Sequence, residues 1–184
     1  EIGDGVTATV TTNFPWDETI AISFNAPTAR ETQLRVPAWA KGATLSIGDE
    51  EARPVDAGYV HVRPAATAVT LVLPVAPVFE RAHPWVDGVR GTLALRRGPV
   101  YYCIEEADLE DGVLLEDVVI PAAPTATEAG YDAALAAPAL TILGGRRRST
   151  EAQLYTSDAA TAATELGDVR AIPYFRWANR APGA

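Results

Sequence analysis

Residues 86–106 read VDGVRGTLALRRGPVYYCIEE, and their alternation sets the class of the fold. Leu93 and Leu95 alternate with Ala94 and Arg96; after Gly98-Pro99, Tyr101 and Cys103 alternate with Tyr102 and Ile104. A period of two marks strands, because successive side chains of an extended chain point to opposite sides. The stretch is read as two strands broken at Gly98-Pro99, where proline withholds a ladder donor. On this basis it is the hinge between two β-rich halves, with Gly98-Pro99 as the crossover and Cys103 as part of the core.

The same period extends upstream. Val6, Ala8 and Val10 alternate with three threonines, and Ile20, Ile22 and Phe24 share one face, so the two runs form a hairpin around the turn Asn13–Asp17. Gln33–Val36, Ala43–Ile47, Tyr59–Arg63 and Ala68–Pro74 continue as short strands, each stopped by Gly, Pro or Asp. Strands recurring about every ten residues with such punctuation belong to a sandwich or barrel. Downstream the texture changes. Asp108–Asp117 is read as an acidic, solvent-facing loop and Val118–Ile120 as a short strand. The alanine-rich Tyr131–Ala137 is expected to form one or two helical turns. Ala139–Leu143 is a strand stopped by Gly144-Gly145, and Arg146–Arg148 is a solvated turn. Ser157–Glu165 is a loop and Val169–Trp177 the last strand.

Composition excludes several functions. The chain has 184 residues, 48% of them hydrophobic, enough for a core in one large or two small domains. A net charge of -9 disfavours nucleic acid and anionic membranes as partners. No apolar run approaches the ~18 residues of a membrane-spanning helix. One cysteine allows no internal disulfide, and no Asn-x-Ser/Thr acceptor occurs. A cytoplasmic, bacterial location is therefore favoured over secretion. The chain opens strand-like and contains no methionine, so it is expected to be a fragment of a longer protein.

Candidate chemistry is sparse. A reactive cysteine needs a lowered pKa, whereas the neighbours of Cys103 are Tyr101, Tyr102 and Ile104, so an inert, buried thiol is expected. His61, His83 and Cys103 lack the paired spacing of a zinc site, and no metal or cofactor is expected. Glu105, Glu106, Asp108, Glu110 and Asp111 contain carboxylates of the kind that hydrolyse glycosides, but such a pair is defined by its separation across a cleft. An acidic run is first of all a solvated face. The aromatics near turns divide between core closure and sugar stacking, and Trp16, Trp39 and Trp85 are the candidates for stacking on a sugar ring.

Five stretches together resemble the C-terminal region of the bacterial β-L-arabinofuranosidase family, glycoside hydrolase family 127. They are Asn13–Asp17, then LRVPAWA (34–40), LPV (73–75), GTLALRRGPVYYC (91–103) and IPYFRWANR (172–180). The resemblance implies an all-β fold of two small antiparallel, jelly-roll-like β-sandwich domains, the second inserted in the first. Residues 1–98 plus 168–184 would form the first and residues 99–167 the second. It further implies that the chemistry belongs to an N-terminal (α/α)6 barrel whose motifs have no counterpart here. The chain alone would then be no enzyme. It would be a non-catalytic accessory region, partnered by the catalytic barrel of the same parent chain and by a second subunit in an oligomer. The alternative is a carbohydrate-binding module using the three tryptophans.

Overall fold

A computed structural model describes residues 5–27, 31–63, 65–148 and 163–180. The described residues form fourteen β-strands and four short 3-10 turns in three antiparallel sheets. Among them there is no α-helix. The chain divides into two units, residues 1–76 and 77–184.

In the first unit, β1 (Ala8–Thr12) and β2 (Thr19–Phe24) form the expected hairpin, with Val10 opposite Ile22. They continue into a five-stranded sheet of order β1-β2-β7-β4-β5, where β4 is Thr44–Ile47, β5 Arg53–Pro54 and β7 Ala68–Val72. A second sheet pairs β3 (Thr32–Val36) with β6 (Gly58–Val62). Val36 and Val62 from the small sheet join Leu45, Val69 and Leu71 from the large one in a single apolar core. Each is almost fully buried, which at ~25 cal/mol per Å² of apolar surface makes this cluster the main stabiliser of the unit.

The second unit is one sheet, ordered β11-β13-β14-β10-β9-β8, with β12 also paired to β13. Its strands are β8 (Pro77–Glu80), β9 (Ala94–Arg97), β10 (Val100–Cys103), β11 (Val118–Val119), β12 (Ala126–Asp132), β13 (Ala137–Arg148) and β14 (Ala163–Pro173). Leu95, Tyr102, Leu140, Ile142 and Val169 line its apolar face. Buried Arg97 on that face is paired with Glu128 of β12 at 2.8 and 3.1 Å.

Several expectations need correction. The boundary lies after Ala76, not at Gly98. Arg97 pairs directly with Val100, so Gly98-Pro99 is a two-residue hairpin inside one sheet, with Gly98 at φ +55°. Strands β8 and β9, assigned above to the first domain, pair in series with β10, which pairs with β14 in the second unit. The inserted arrangement with segments 1–98 plus 168–184 and 99–167 is therefore not what the strand pairing shows. Tyr131–Ala137 is not helical: Asp132 Oδ1 accepts from the Ala134 and Leu135 amides at 2.8 and 3.3 Å, which turns β12 into β13. This local bond competes with the helical pattern that alanine favours.

Strand β13 also runs through Gly144-Gly145 instead of stopping there, with register shifts on both sides of Gly145. A Cβ on Gly145 would overlap the Val169 side chain, so the glycine permits close approach of β14. Arg146 and Arg147 are accordingly strand residues, opposite Glu165 and Thr164. Residues 163–165 of the expected loop are strand, and 157–162 lie outside the described residues. The last strand ends at Pro173; Tyr174–Arg176 form a 3-10 turn.

Candidate functional site

The end of β14 and the end of β10 meet in a network of opposite charges. Glu105 follows β10 directly and is 5% exposed. Arg180 donates to both Glu105 and Asp108, with Nε 2.9 Å from Glu105 Oε2 and Nη1 2.9 Å from Asp108 Oδ1. Glu105 Oε1 also accepts the Ala178 amide at 2.5 Å. Asp108 is shared with Arg170 at 3.3 Å, and Arg170 reaches on to Asp132 at 2.5 Å. Hydrogen bonding to Asp108, together with that to Glu105, raises the Arg180 guanidinium pKa above its ordinary value, against the opposing effect of burial. The acidic run is thus no uniform solvated face. Two of its carboxylates are buried and committed to an arginine seventy-odd positions away. Carboxylates engaged in this way hold structure; neither is offered to a sugar as a general acid or base.

The network holds an aromatic turn. Trp177 N donates to Tyr174 O at 3.0 Å, Asn179 N to Arg176 O at 3.1 Å, and Arg176 Nε to Leu135 O at 2.7 Å. Tyr174 and Trp177 stack with centroids 5.9 Å apart and planes 5° from parallel, and the Arg176 guanidinium lies 5.6 Å from the Phe175 ring centre. Yet Tyr174, Phe175 and Trp177 are 59%, 52% and 47% exposed. Strand alternation hid this set from sequence reasoning. The usable signal was Pro173, which closes the ladder and leaves the run YFRW without period.

The tryptophans singled out above fall into different settings. Trp39 packs against the first unit's core and stacks on Phe14 at 6.2 Å and 14°. Trp16 is half-buried on the same turn as Phe14, its amide bonded to Asn13 O at 2.9 Å. Trp85, in the second unit, is 88% exposed and meets only the edge of His83 among its described ring contacts.

Cys103 is half-buried on the opposite face of β10 from buried Tyr102. It is therefore less enclosed than a core position. Burial, reinforced by the Glu105 charge, pushes its thiol up to about 11. At neutral pH it is protonated, the reverse of what a nucleophile or metal ligand needs. Among the described residues no group of three or more His, Cys, Asp or Glu is placed to hold a metal, and no helix is long and apolar enough to cross a membrane.

Residues 77–184 match the glycoside hydrolase family 127 C-terminal domain, and residues 2–75 match the middle domain of beta-L-arabinofuranosidase in the same family. The chain belongs to glycoside hydrolase family 127. The two matches meet at the boundary between the two structural units. A non-reducing end beta-L-arabinofuranosidase of Bifidobacterium longum is 30% identical over the whole of this chain, which covers 30% of that protein. A family 127 beta-L-arabinofuranosidase from Geobacillus stearothermophilus T6 superposes with a TM-score of 0.77 at 29% identity, over 97% of this chain and 29% of that one. A further family 127 beta-arabinofuranosidase gives 0.74 at 20% identity over 97% of this chain and 30% of its own, a likeness of fold. The family 127 chain described here thus spans about 30% of the length of its relatives, and the region it lacks includes their catalytic domain.

Proposed function

We propose that the chain is a non-catalytic accessory region of a β-L-arabinofuranosidase-like glycoside hydrolase. It supports a catalytic (α/α)6 barrel of the same polypeptide and takes part in contact with a second subunit. On this proposal the first unit is a small β-sandwich. The core shared by the two sheets of the first unit supports that description.

The observation that carries the role is the turn Tyr174–Trp177. Three aromatic rings stand half in solvent, on a backbone fixed by buried ion pairs. Tyr, Trp and Arg are the residue types that dominate protein–protein contacts, and a rigid turn loses little entropy on docking. A sugar fits this turn less well. One donor of Asn179 is spent on Phe175 O and one of Arg176 on Leu135 O. Carbohydrate stacking on Trp16, Trp39 and Trp85 is a second reading, favoured by exposure only at Trp85.

Hydrogen exchange tests the role. With the parent's catalytic region joined or added in trans, the amides of residues 174–180 become protected and the isolated chain hydrolyses no chromogenic arabinofuranoside. Hydrolysis by the isolated chain that is lost in Cys103→Ala, or unchanged exchange at 174–180, would overturn it.

A further inference from the structure

The second unit's sheet is curled on itself. Arg97 of β9 reaches Glu128 of β12, although β10, β14 and β13 lie between those strands in the order of the sheet. The Tyr102 hydroxyl of β10 donates to Pro138 O of β13, past β14, at 2.9 Å. Beyond the end of β8, Arg81 Nη2 donates to Ala122 O at 2.6 Å, which ties the outermost strand to the segment that enters β12. A small sheet closed in this way has an interior that side chains fill or that holds one small ligand. Here the filling is incomplete. A cavity of about 220 Å³ remains among Phe79, Leu95, Tyr102, Ile104, Ile142 and Ala171.

The cavity wall is apolar. Leu95, Tyr102, Ile142 and Ala171 are buried, and Phe79 and Ile104 are half-buried. The Tyr102 hydroxyl has spent its proton on Pro138 O, and the Cys103 thiol at the cavity's edge, pushed up to about 11 by burial, is uncharged at neutral pH. A polar group brought inside would lose water without finding a partner, whereas an apolar cavity of about 150 Å³ stays dry and takes up benzene. Leu93 and Ile120 line this cavity and also a more open cleft of about 370 Å³, so the one leads into the other. Together the two spaces reach the range of small-molecule sites, roughly 300–1,000 Å³. Among the described residues that line either space, Arg81 is the only charged side chain. Glu80, its neighbour in the chain, emerges on the other face of the sheet, where Arg96 Nε donates to it at 2.5 Å and the Tyr101 hydroxyl at 3.0 Å. That acid is already matched by Arg96, so Arg81 carries the excess charge. A guanidinium has five N–H donors, and Ala122 O takes one of them.

We infer that the hollow of the second unit's sheet is a binding site for a small amphipathic carboxylate, with its hydrocarbon chain among Leu95, Ile104, Ile142 and Ala171 and its head group at Arg81. A wholly polar ligand finds no partners in the interior, and a wholly apolar one leaves the cation at the mouth unused. A single guanidinium matches a singly charged head. Arg81 is exposed, so solvent screens its pairing with the head, which orients the ligand more than it holds it. Removal of the chain from water supplies most of the affinity. The site is separate from the docking role of Tyr174–Trp177.

The test is titration of the 184-residue chain with octanoate and, in parallel, with 1-octanol, followed by amide chemical shifts. Saturable binding of octanoate at roughly millimolar concentration or tighter is expected for a ligand of this size, with shifts centred on residues 79–81, 93–95, 102–104, 120 and 171. Ala171→Leu fills the cavity from the sheet and should weaken octanoate at least about tenfold. Ile120→Trp obstructs it from the half-buried rim and should do the same, which covers the case in which the first variant does not fold. Arg81→Gln should weaken octanoate about threefold, the scale of an exposed ion pair, and leave 1-octanol unchanged. Tyr174→Ala should bind normally, so a failure here leaves the docking proposal standing. Absence of saturable octanoate binding, or binding indifferent to Ile120→Trp, overturns the inference. Octanoate binding indifferent to Arg81→Gln, or equal weakening of octanoate and 1-octanol by it, also overturns it, because the head group is then not at Arg81.

Discussion

The two units each carry a nearly parallel pair of aromatic rings, and they hold that pair in opposite ways. Phe14 and Trp39 stack at 6.2 Å against a core of aliphatic side chains. Tyr174 and Trp177 stack at 5.9 Å in the open, over a turn anchored by Arg180, Glu105 and Asp108. In the first unit the rings are half-buried, and contact with the core fixes them. In the second, hydrogen bonds and charges fix the backbone while the rings remain available. Ring geometry alone therefore does not separate packing from presentation; the support beneath the rings does.

The sharpest way to break the comparison is Arg180→Ala. It leaves Glu105 and Asp108 buried without their shared cation, which should cost the second unit about 3 kcal/mol or more. Urea denaturation followed unit by unit should show the first unit unmoved. Arg180→Lys should recover only part of the loss, because an ammonium cannot serve two carboxylates with a planar fork. Next in size is Trp39→Ala, expected to destabilise the first unit by about 2 kcal/mol through lost apolar contact and to leave residues 174–180 unchanged in hydrogen exchange.

Acid sharpens the contrast further. Glu80 is held low by its bond from Arg96, and Asp132 by the Ala134 amide. A carboxylate depressed in the folded state contributes stability above its unfolded pKa, about 4, and loses it as pH falls through the lower folded value. Fluorescence of Trp85 and Trp177 in the second unit should therefore change below about pH 4, and Glu80→Gln should flatten that acid limb. The smallest effect is expected from Tyr174→Ala or Trp177→Ala, below about 1 kcal/mol each in the isolated chain, since exposed side chains contribute little to stability. A larger loss in thermal unfolding would make the aromatic turn a structural element and remove the case for presentation.

The first unit was largely legible in sequence because its strands have one wet face. Val10 against Ile22, and Leu45 and Ile47 against Leu71 and Val69, lie where alternation put them. In the second unit, β9 and β10 were equally clear, since Leu95 and Tyr102 face the core as their spacing requires. What escaped depends on partners distant in the chain. Glu105 and Asp108 look like solvated acids until Arg180 is brought to them. Gly144-Gly145 looks like a stop until Val169 is seen to need the space. The domain boundary escaped because Pro74 and Pro77 read equally well as strand ends. The pairing of Glu80 with Arg96 and Tyr101 required the register of β8, a strand too short and proline-led to stand out.

The position of β14 has a consequence for synthesis. It lies between β13 and β10, in the middle of the second unit's sheet, although it is the last of the described strands. On the ribosome the first unit has all its described strands once residue 76 has emerged. It can fold while the rest is being made, at roughly 5–20 residues per second. The second unit cannot: until β14 arrives, β10 and β13 each expose an unpaired inner edge, a template for pairing with another chain. The nascent protein thus spends several seconds half finished, and its hazard of misassembly is concentrated in that interval.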